Sequence, residues 1–213
     1  MRKIVRRDDI QDLILDGVDV LLGKSGYRKM TMEGLAGQVG IGKGTIYLHF
    51  SSKEELVLAH VDRIVERLVG RLYEIARGPE PPAARIKTML MTRVLFRFDS
   101  IAQYSPTLND LLSSVRTDLL ARREAHFEKE AKVLASVLEE GRKKGVFEFR
   151  NSRKTASVLI WSTNSLLPFS LTARVLGDRM ELEACVTRIA DSLLEEMVPL
   201  SRGKHAARID WGL

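Results

Sequence analysis

The sequence predicts an all-α protein in which a small amino-terminal helical domain is joined by a long helix to a larger helical domain. Apolar residues recur every three or four positions through most of the 213 residues, which is the period of amphipathic helices. A Gly/Pro-rich segment at 78–82 interrupts this pattern once, after the first long helix. The VFEF run at 146–149 has strand-like composition, but it is too short and isolated to form a sheet and is predicted to be a loop.

The first predicted helix covers residues 8–23 and has one apolar stripe opposite an acidic face. Glycines at positions 23 and 26 are expected to end it. Its expected role is structural, since its stripe can pack across the back of the short helices that follow. The stripe consists of Ile10, Leu13, Ile14, Val18, Leu21 and Leu22.

Residues 31–53 predict two short helices joined by a tight turn, followed by the start of a third helix. Thr31 is placed to cap the first of them, and Gly40 stands where the chain must turn sharply. Ile41, Ile46 and Phe50 can face inward and anchor the second helix. This arrangement leaves a largely outward set consisting of Lys43, Gly44, Thr45, Tyr47 and His49. Small, basic and hydroxyl groups on the second helix are typical of a DNA-reading helix-turn-helix.

Gly44 strengthens the DNA-binding interpretation over one in which these residues are ordinary solvated side chains. A glycine inside a short helix costs about 1 kcal/mol relative to alanine. A close approach of the backbone to a large ligand would explain its presence there.

The same stretch also resembles a phosphate-binding P-loop, because Gly37 and Gly42-Lys43 have the G-x-x-x-x-G-K spacing. The next residue is Gly44 rather than Ser or Thr, so the hydroxyl that would hold magnesium is missing. The preceding residues also have helical spacing rather than that of a buried strand, so ATP binding is not expected.

A long helix is predicted from about 52 to 77. Ser51 with Glu54, and Ser52 with Glu55, both match the S-x-x-E capping pattern that begins a helix. The remainder is predicted to form helices at about 82–102, 106–114, 117–144, 152–175 and 179–198. The last of these carries a stripe of Leu182, Val186, Ile189, Leu193 and Met197.

The runs YRKMTMEGLA at 27–36 and GKGTIYLHFSSKEEL at 42–56 resemble the amino-terminal DNA-binding domain of TetR-type (TetR/AcrR) transcriptional regulators. The resemblance covers about residues 8–56 and implies double-stranded DNA as a partner. It also implies that Lys43 and Thr45 contact base edges, while Tyr47, His49 and Lys53 contact phosphates. The full set of DNA-contacting residues implied is Thr31, Lys43, Gly44, Thr45, Tyr47, His49 and Lys53.

The resemblance further implies that the carboxy-terminal domain binds a small effector between its helices. Methionine and aromatic residues there can line an adaptable apolar pocket, although the same residues also fit ordinary core packing. Pro168 is expected to kink its helix and help to open a cavity. The candidate pocket residues are Met89, Arg93, Phe96, Phe127, Trp161, Asn164 and Phe169.

A homodimer through the last two helices is expected, since one reading head contacts too few base pairs for useful specificity. The expected division is a helix-turn-helix DNA-binding domain at 1–53, a connecting helix at 54–78, an effector-binding and dimerisation domain at 79–200, and a mobile tail at 201–213.

Composition excludes several other classes. The single cysteine, Cys185, excludes an intrachain disulfide framework, and the four histidines are too scattered for a metal site. Nothing resembles a nucleophile motif, so neither enzymatic activity nor a cofactor is expected. The first residues lack a signal peptide, and no apolar run is long enough to cross a membrane, so a cytoplasmic protein is expected. Most of the +6 net charge lies at the two ends of the chain, which favours contact with phosphate backbones.

The expected function is that of a homodimeric repressor released from a near-palindromic operator by a small apolar or amphipathic ligand. The alternative is a DNA-binding regulator whose carboxy-terminal domain is a protein-interaction module without a small-molecule effector.

Overall fold

The structure, a computed structural model, describes residues 7–102, 108–167 and 178–199. Within these ranges the chain forms α helices and one 3₁₀ turn, and no strand is present. The α helices are α1 (Arg7–Lys29), α2 (Met32–Val39), α3 (Lys43–Tyr47), α4 (Lys53–Ala76), α5 (Pro82–Ile101), α6 (Leu108–Lys143), α7 (Ser152–Ser162) and α8 (Arg179–Glu195), and the 3₁₀ turn covers Asn164–Leu166. The predicted mobile tail and Pro168 lie outside the described residues.

The helices α1, α2, α3 and the first turns of α4 form the head, which has its own apolar core. Ile14, Leu35, Ile46 and Leu56 are completely buried there, one from each of these four helices. A helix as short as α3 is not stable alone. The burial of Ile46 therefore holds α3 in place.

The first helix is longer than predicted. It continues past Gly23, and the break occurs at Gly26, whose φ of 73° and ψ of 172° are not helical. Nothing from Gly23 to Ser25 forbids a helix, whereas Gly26, the second glycine expected to end it, has the positive φ that breaks the helix.

The connecting helix α4 begins and ends close to where the sequence predicts. The Ser52 side chain accepts a hydrogen bond from the Glu55 backbone N–H at 3.0 Å, and the Glu55 carboxylate accepts one from the Ser51 N–H at 2.6 Å. Glu54, which was expected to pair with Ser51, instead accepts a hydrogen bond from Tyr27. After Ala76 the chain turns, and Pro82 occupies the first turn of α5, where its missing N–H costs nothing.

The predicted helices at 106–114 and 117–144 are one helix, α6, of 36 residues. The prediction of a break near residue 116 was wrong because no glycine or proline interrupts the chain between Leu108 and Glu140. Leu111, Val115 and Leu119 lie four residues apart on one face and are buried in the core of the head. Farther along, Leu134 and Leu138 are buried in the core of the larger helical part, the body. This single helix therefore belongs to both packing units.

The body is formed by α5, α7, α8 and the rest of α4 and α6. The VFEF segment is a loop, as predicted: Phe147 is buried, and the Glu148 N–H donates to the Met197 carbonyl at 2.9 Å. Phe147 also explains Gly141, where a Cβ would lie 2.4 Å from its ring. Within the described residues no helix is long and apolar enough to cross a membrane.

The helix predicted at 152–175 ends much earlier, at Ser162, and is followed by the 3₁₀ turn. The Thr163 hydroxyl hydrogen-bonds back to the Ile160 carbonyl at 3.2 Å, competing with the regular helical pattern. In α8 the buried stripe is also displaced from the predicted one. Leu182 and Val186 are buried as predicted, but Ala190 and Leu194 continue the buried face, whereas Ile189, Leu193 and Met197 are half-buried.

Candidate functional site

The second short helix, α3, is presented on the surface of the head. Gly40 ends α2 in the left-handed conformation with φ of 71°, and its N–H donates to the Ala36 carbonyl. Ile46 and Phe50 are buried and Ile41 is half-buried, as the sequence predicts. The opposite side of this five-residue helix therefore faces outward.

The seven predicted DNA-contacting residues differ in exposure. Thr31, Lys43, Gly44 and Tyr47 are exposed, and Tyr47 retains 48% of its accessible surface. The remaining three, Thr45, His49 and Lys53, are half-buried. Thr31 has a structural role as well, since its hydroxyl caps α2 by accepting from the Gly34 N–H at 3.0 Å.

Gly44 has no steric explanation among the described residues. A Cβ added there would meet none of their atoms within 4 Å, and its φ is not in the left-handed region. The internal packing of the head would therefore accept a side chain at this position.

Lys43 is only loosely held. Its Nζ lies 4.0 Å from a Glu33 carboxylate oxygen, and both side chains are largely exposed. Exposed pairs at this distance contribute at most about 1 kcal/mol. The ammonium group is consequently available to an incoming ligand.

Lys53, the first residue of α4, is positioned by Tyr27, a role that no pattern in the sequence indicates. The Lys53 Nζ lies 3.9 Å from the centre of the Tyr27 ring, in cation–π geometry. The Tyr27 hydroxyl donates to Glu54 at 2.9 Å and so fixes the ring. Burial lowers the pKa of Lys53, and burial raises the pKa of Tyr27. The tyrosine precedes two basic residues in the run YRK, and no spacing in the sequence connects it with residue 53.

At two further residues near α3 the structure differs from the predicted set of DNA-contacting residues. The His49 ring packs against Phe50, with 6.4 Å between ring centres, and its Nδ1 is buried without a hydrogen-bond partner among the described residues. His49 is therefore less outward than predicted. Leu48, which the sequence analysis did not select, is 78% exposed directly after α3. An apolar side chain so exposed beside a reading helix is a candidate for contact with a thymine methyl group.

The predicted pocket residues do not form one group. Met89 and Arg93 are fully buried in the body, Phe96, Phe127 and Asn164 are half-buried, and Trp161 is 73% exposed. Trp161 therefore lies on the outer face of α7 rather than in the interior, and Phe169 lies outside the described residues. An open depression on α8 is lined by other residues, namely Met180, Glu181, Glu183, Ala184, Thr187 and Arg188.

A buried charge cluster in the body contains one of the predicted pocket residues. Arg93 donates from Nε to Glu130 at 2.7 Å and from Nη1 to the Thr163 hydroxyl at 2.8 Å. Arg97 donates to both Glu130 carboxylate oxygens, at 2.6 and 3.3 Å. Burial lowers the pKa of Arg93 to about 10. Burial alone would raise the pKa of Glu130, but Arg97 and Arg93 lower it overall. Arg93 and Glu130 therefore remain ionised near neutral pH.

Polar contacts connect the head to the body. Arg63 on α4 donates to the Asp16 carboxylate on α1 at 2.8 Å. On the other side of α4, the Asp62 carboxylate pairs with Arg122 and lies 2.7 Å from the His126 ring of α6. The helices α1, α4 and α6 are thus linked by charged pairs as well as by apolar packing.

Comparison with known proteins agrees with this architecture. Residues 14–60 match the family described as bacterial regulatory proteins, tetR family. The nucleoid occlusion factor SlmA of Actinobacillus pleuropneumoniae serotype 5b (strain L20) is 31% identical over 83 residues, covering 37% of this chain and 41% of that relative. The HTH-type transcriptional repressor KstR2 of Rhodococcus jostii (strain RHA1) is 27% identical over 158 residues, covering 69% of this chain and 76% of that relative.

Solved structures share the fold over nearly the whole chain. A TetR-family transcriptional regulator from Pectobacterium atrosepticum superposes with a TM-score of 0.72 at 18% identity, covering 94% of this chain and 100% of that one. A transcriptional regulator from Cytophaga hutchinsonii ATCC 33406 superposes with a TM-score of 0.71 at 21% identity, covering 88% and 98%. These likenesses concern the fold. The match to the tetR family is confined to residues 14–60, which include α2 and α3, and over these residues the chain is similar to bacterial regulatory proteins of that family.

Proposed function

We propose that the protein is a homodimeric transcriptional repressor that leaves a near-palindromic operator when its body binds a small amphipathic ligand. The observation that carries this proposal is the exposed face of α3, held outward by the buried Ile46. A short rigid helix with an exposed basic end fits the major groove of DNA. A relative at 27% identity is named a repressor, which agrees with the proposed direction of regulation.

In this proposal the residues of α3 have different tasks. Lys43 and Thr45 contact base edges, and Leu48 contacts a thymine methyl group, so these three carry sequence information. Tyr47, His49 and Lys53 contact phosphates and set the orientation of the head. Gly44 lets the backbone of α3 approach the DNA closely, and Thr31 lies at the start of α2 beside the same surface.

A double substitution tests the assignment of α3. Lys43→Ala with Tyr47→Phe removes one charge and one hydroxyl, and we expect affinity for a selected DNA site to fall by at least about tenfold. Electrophoretic mobility shift on a duplex enriched by the wild-type protein from random sequences gives the measurement.

The matched control is Lys132→Ala with Tyr73→Phe, which removes the same groups from exposed positions on α6 and α4. This control should bind like the wild type. If the α3 variant still binds the selected duplex with an affinity within twofold of the wild type, α3 does not contact the DNA.

Exposed apolar side chains on the last two helices support dimerisation through α7 and α8. Val158 and Trp161 are 59% and 73% exposed on α7, and Met180 is 75% exposed at the start of α8. Exposed large apolar side chains are typical of a surface that another subunit covers. Two such pairs of helices would form a four-helix interface.

Helix α6 is the proposed connection between ligand and DNA. Its carboxy-terminal half carries Glu130 in the buried charge cluster, and its amino-terminal half packs Leu111 and Val115 into the head. A ligand that shifts α6 in the body must therefore shift the head as well, and the spacing between two heads sets whether both reach one duplex. We accordingly propose the division into a reading domain at 1–53, a connecting helix at 54–78 and an effector-binding and dimerisation domain at 79–200, with α6 packing against the reading domain.

A further inference from the structure

We propose that the body recognises a carboxylate group, carried on an apolar chain, at the Arg93 guanidinium between α5, α6 and the end of α7. The regulatory meaning of this site rests on the proposed function, whereas binding itself does not. Four features of the cluster lead to this assignment: its hydrogen-bond count, its charge, its second unpaired polar atom and its apolar surroundings.

The hydrogen bonds of Arg93 are incomplete. A guanidinium has five N–H donors, and Arg93 uses Nε on Glu130 and Nη1 on Thr163. Its Nη2 is buried and has no hydrogen-bond partner among the described residues, although Arg93 is 0% exposed. A buried donor without an acceptor is costly, so this atom is a natural position for an acceptor from a ligand.

The net charge of the cluster also favours an anionic ligand. Arg93 and Arg97 carry two positive charges against the single negative charge of Glu130, and none of the three side chains is more than 7% exposed. Glu130 already receives hydrogen bonds from both arginines on its two oxygens. Arg123 adds another positive charge nearby, since both it and Arg93 lie against the Phe127 ring, at 5.8 and 5.0 Å from its centre. A carboxylate would compensate the excess positive charge, whereas a cationic ligand would increase it.

Asn164 supplies the second unpaired polar atom. It directly follows Thr163, which accepts the Arg93 hydrogen bond, and its Oδ1 is buried without a partner among the described residues. An acceptor of this kind suits a hydroxyl or a protonated group beside the carboxylate. The 3₁₀ turn that carries Asn164 also ends α7, so a ligand here would contact the junction between α7 and the body core.

The surroundings fit an apolar chain rather than a small inorganic anion. Next to Arg93 on α5, Val94 belongs to an apolar cluster that includes buried Leu167, Leu182 and Val186. Half-buried apolar side chains border the same cluster, and these can move more easily than the fully buried ones. They are Met91, Phe98, Phe127 and Leu166.

The buried charge cluster contains more charged groups than are needed to link α5 to α6. Arg97 alone already bridges α5 to Glu130 on α6 through both carboxylate oxygens. Arg93 pairs with the same carboxylate through Nε and leaves its buried Nη2 without an acceptor among the described residues, which is costly. The N–H groups of Nη2 can donate to a ligand carboxylate, and such charge-assisted hydrogen bonds are stronger than neutral ones.

Binding of matched ligands to the full-length wild-type protein tests the proposal first. Octanoate, dodecanoate and hexadecanoate are compared with their methyl esters by isothermal titration calorimetry without DNA. We expect at least one carboxylate to bind about tenfold or more tightly than its ester, since the ester keeps the chain and the carbonyl oxygen but carries no negative charge. Equal or weaker binding of every carboxylate relative to its ester would overturn the proposal, and this result requires no variant to fold.

Variants then locate the site. Arg93→Lys keeps a charge but loses the planar fork, and Arg93→Met loses both, so the preference for the carboxylate should fall in that order. The matched control is Arg85→Met, which removes another buried arginine of α5 that pairs with Glu140 instead. A carboxylate preference that survives in Arg93→Lys and in Arg93→Met, or that disappears equally in Arg85→Met, would place the site elsewhere.

Release from DNA separates this inference from the proposed function. If the carboxylate binds through Arg93 while the protein stays on its selected duplex, the anion site is supported and ligand-released repression is wrong. If an ester releases the duplex while no carboxylate is preferred, ligand-released repression is supported and the anion site is wrong.

Discussion

Gly44 allows two effects to be measured separately, namely the stability of α3 and the fit of its backbone to a ligand. Because a Cβ there meets no atom within 4 Å, Gly44→Ala should leave the head folded and raise the free energy of unfolding by up to about 1 kcal/mol. If the α3 backbone approaches DNA closely, the added methyl group should nevertheless weaken binding. Urea denaturation and mobility shift measure the two effects separately.

Gly70→Ala is the control, because a Cβ at this α4 position also meets nothing within 4 Å and lies outside the head. It should gain stability and keep its DNA affinity. If Gly44→Ala binds DNA as well as the wild type, this glycine is not needed for a close approach of the α3 backbone to DNA.

His60 makes the stability of the head depend on pH. Burial lowers the pKa of His60 from 6.5 to about 4. Between these values the unfolded chain binds a proton that the folded chain does not, so His60 lowers the free energy of unfolding as the pH falls. The loss begins near the unfolded value and levels off below about pH 4.

Urea denaturation of the wild type and His60→Gln at several pH values between 7 and 4 would check this prediction. The variant should show a smaller decrease over this range, whatever its stability at neutral pH. Parallel pH dependences for the two proteins would mean that His60 is protonated as easily in the folded chain as in the unfolded one.

At the scale of helices, α7 and α8 offer the sharpest test of dimerisation. Trp161 is 73% exposed in the single chain, so Trp161→Glu should not disturb the core of the body. In a dimer it would bury an unpaired charge, which costs about 3–5 kcal/mol and should weaken association by a hundredfold or more. Sedimentation equilibrium gives the measurement.

Leu120→Glu is the matched control, since Leu120 is 46% exposed and lies on α6 rather than on α7 or α8. The half-buried Leu193 is a less suitable position, because it also packs against the core of the body. If Trp161→Glu and Leu120→Glu both remain dimeric, α7 does not form the interface.

The helices also show which features the sequence could predict. Thr31, Gly40 and Ser52 were identified correctly because caps act through hydrogen bonds to residues two to four positions away. The buried anchor Ile46 followed from the same local pattern. The positions of Trp161 and Arg93 could not be predicted in this way, because apolar or charged composition does not determine which face of a helix meets the body. The Glu130 partner of Arg93 lies 37 residues away, and no periodicity connects the two.

At the scale of the molecule, the two packing units are less separate than the sequence suggested. The division at 1–53 followed from the helix-turn-helix pattern, but Leu111, Val115 and Leu119 of α6 complete the head core. Contacts of this kind join residues about a hundred positions apart, and only the folded chain reveals them. The shared helix gives the proposed ligand response a mechanical basis, since α6 also carries Phe127 and Glu130 beside Arg93.

The central claim is that two copies of this chain place their α3 helices in successive major grooves of one duplex. Selection of binding sites from random-sequence duplexes with the full-length protein tests this claim most directly. We expect enrichment of an inverted repeat whose half-sites are centred about one helical turn, roughly 10 base pairs, or a multiple of it apart. Enrichment of a single unpaired site, or no enrichment beyond a general preference for DNA, would contradict it.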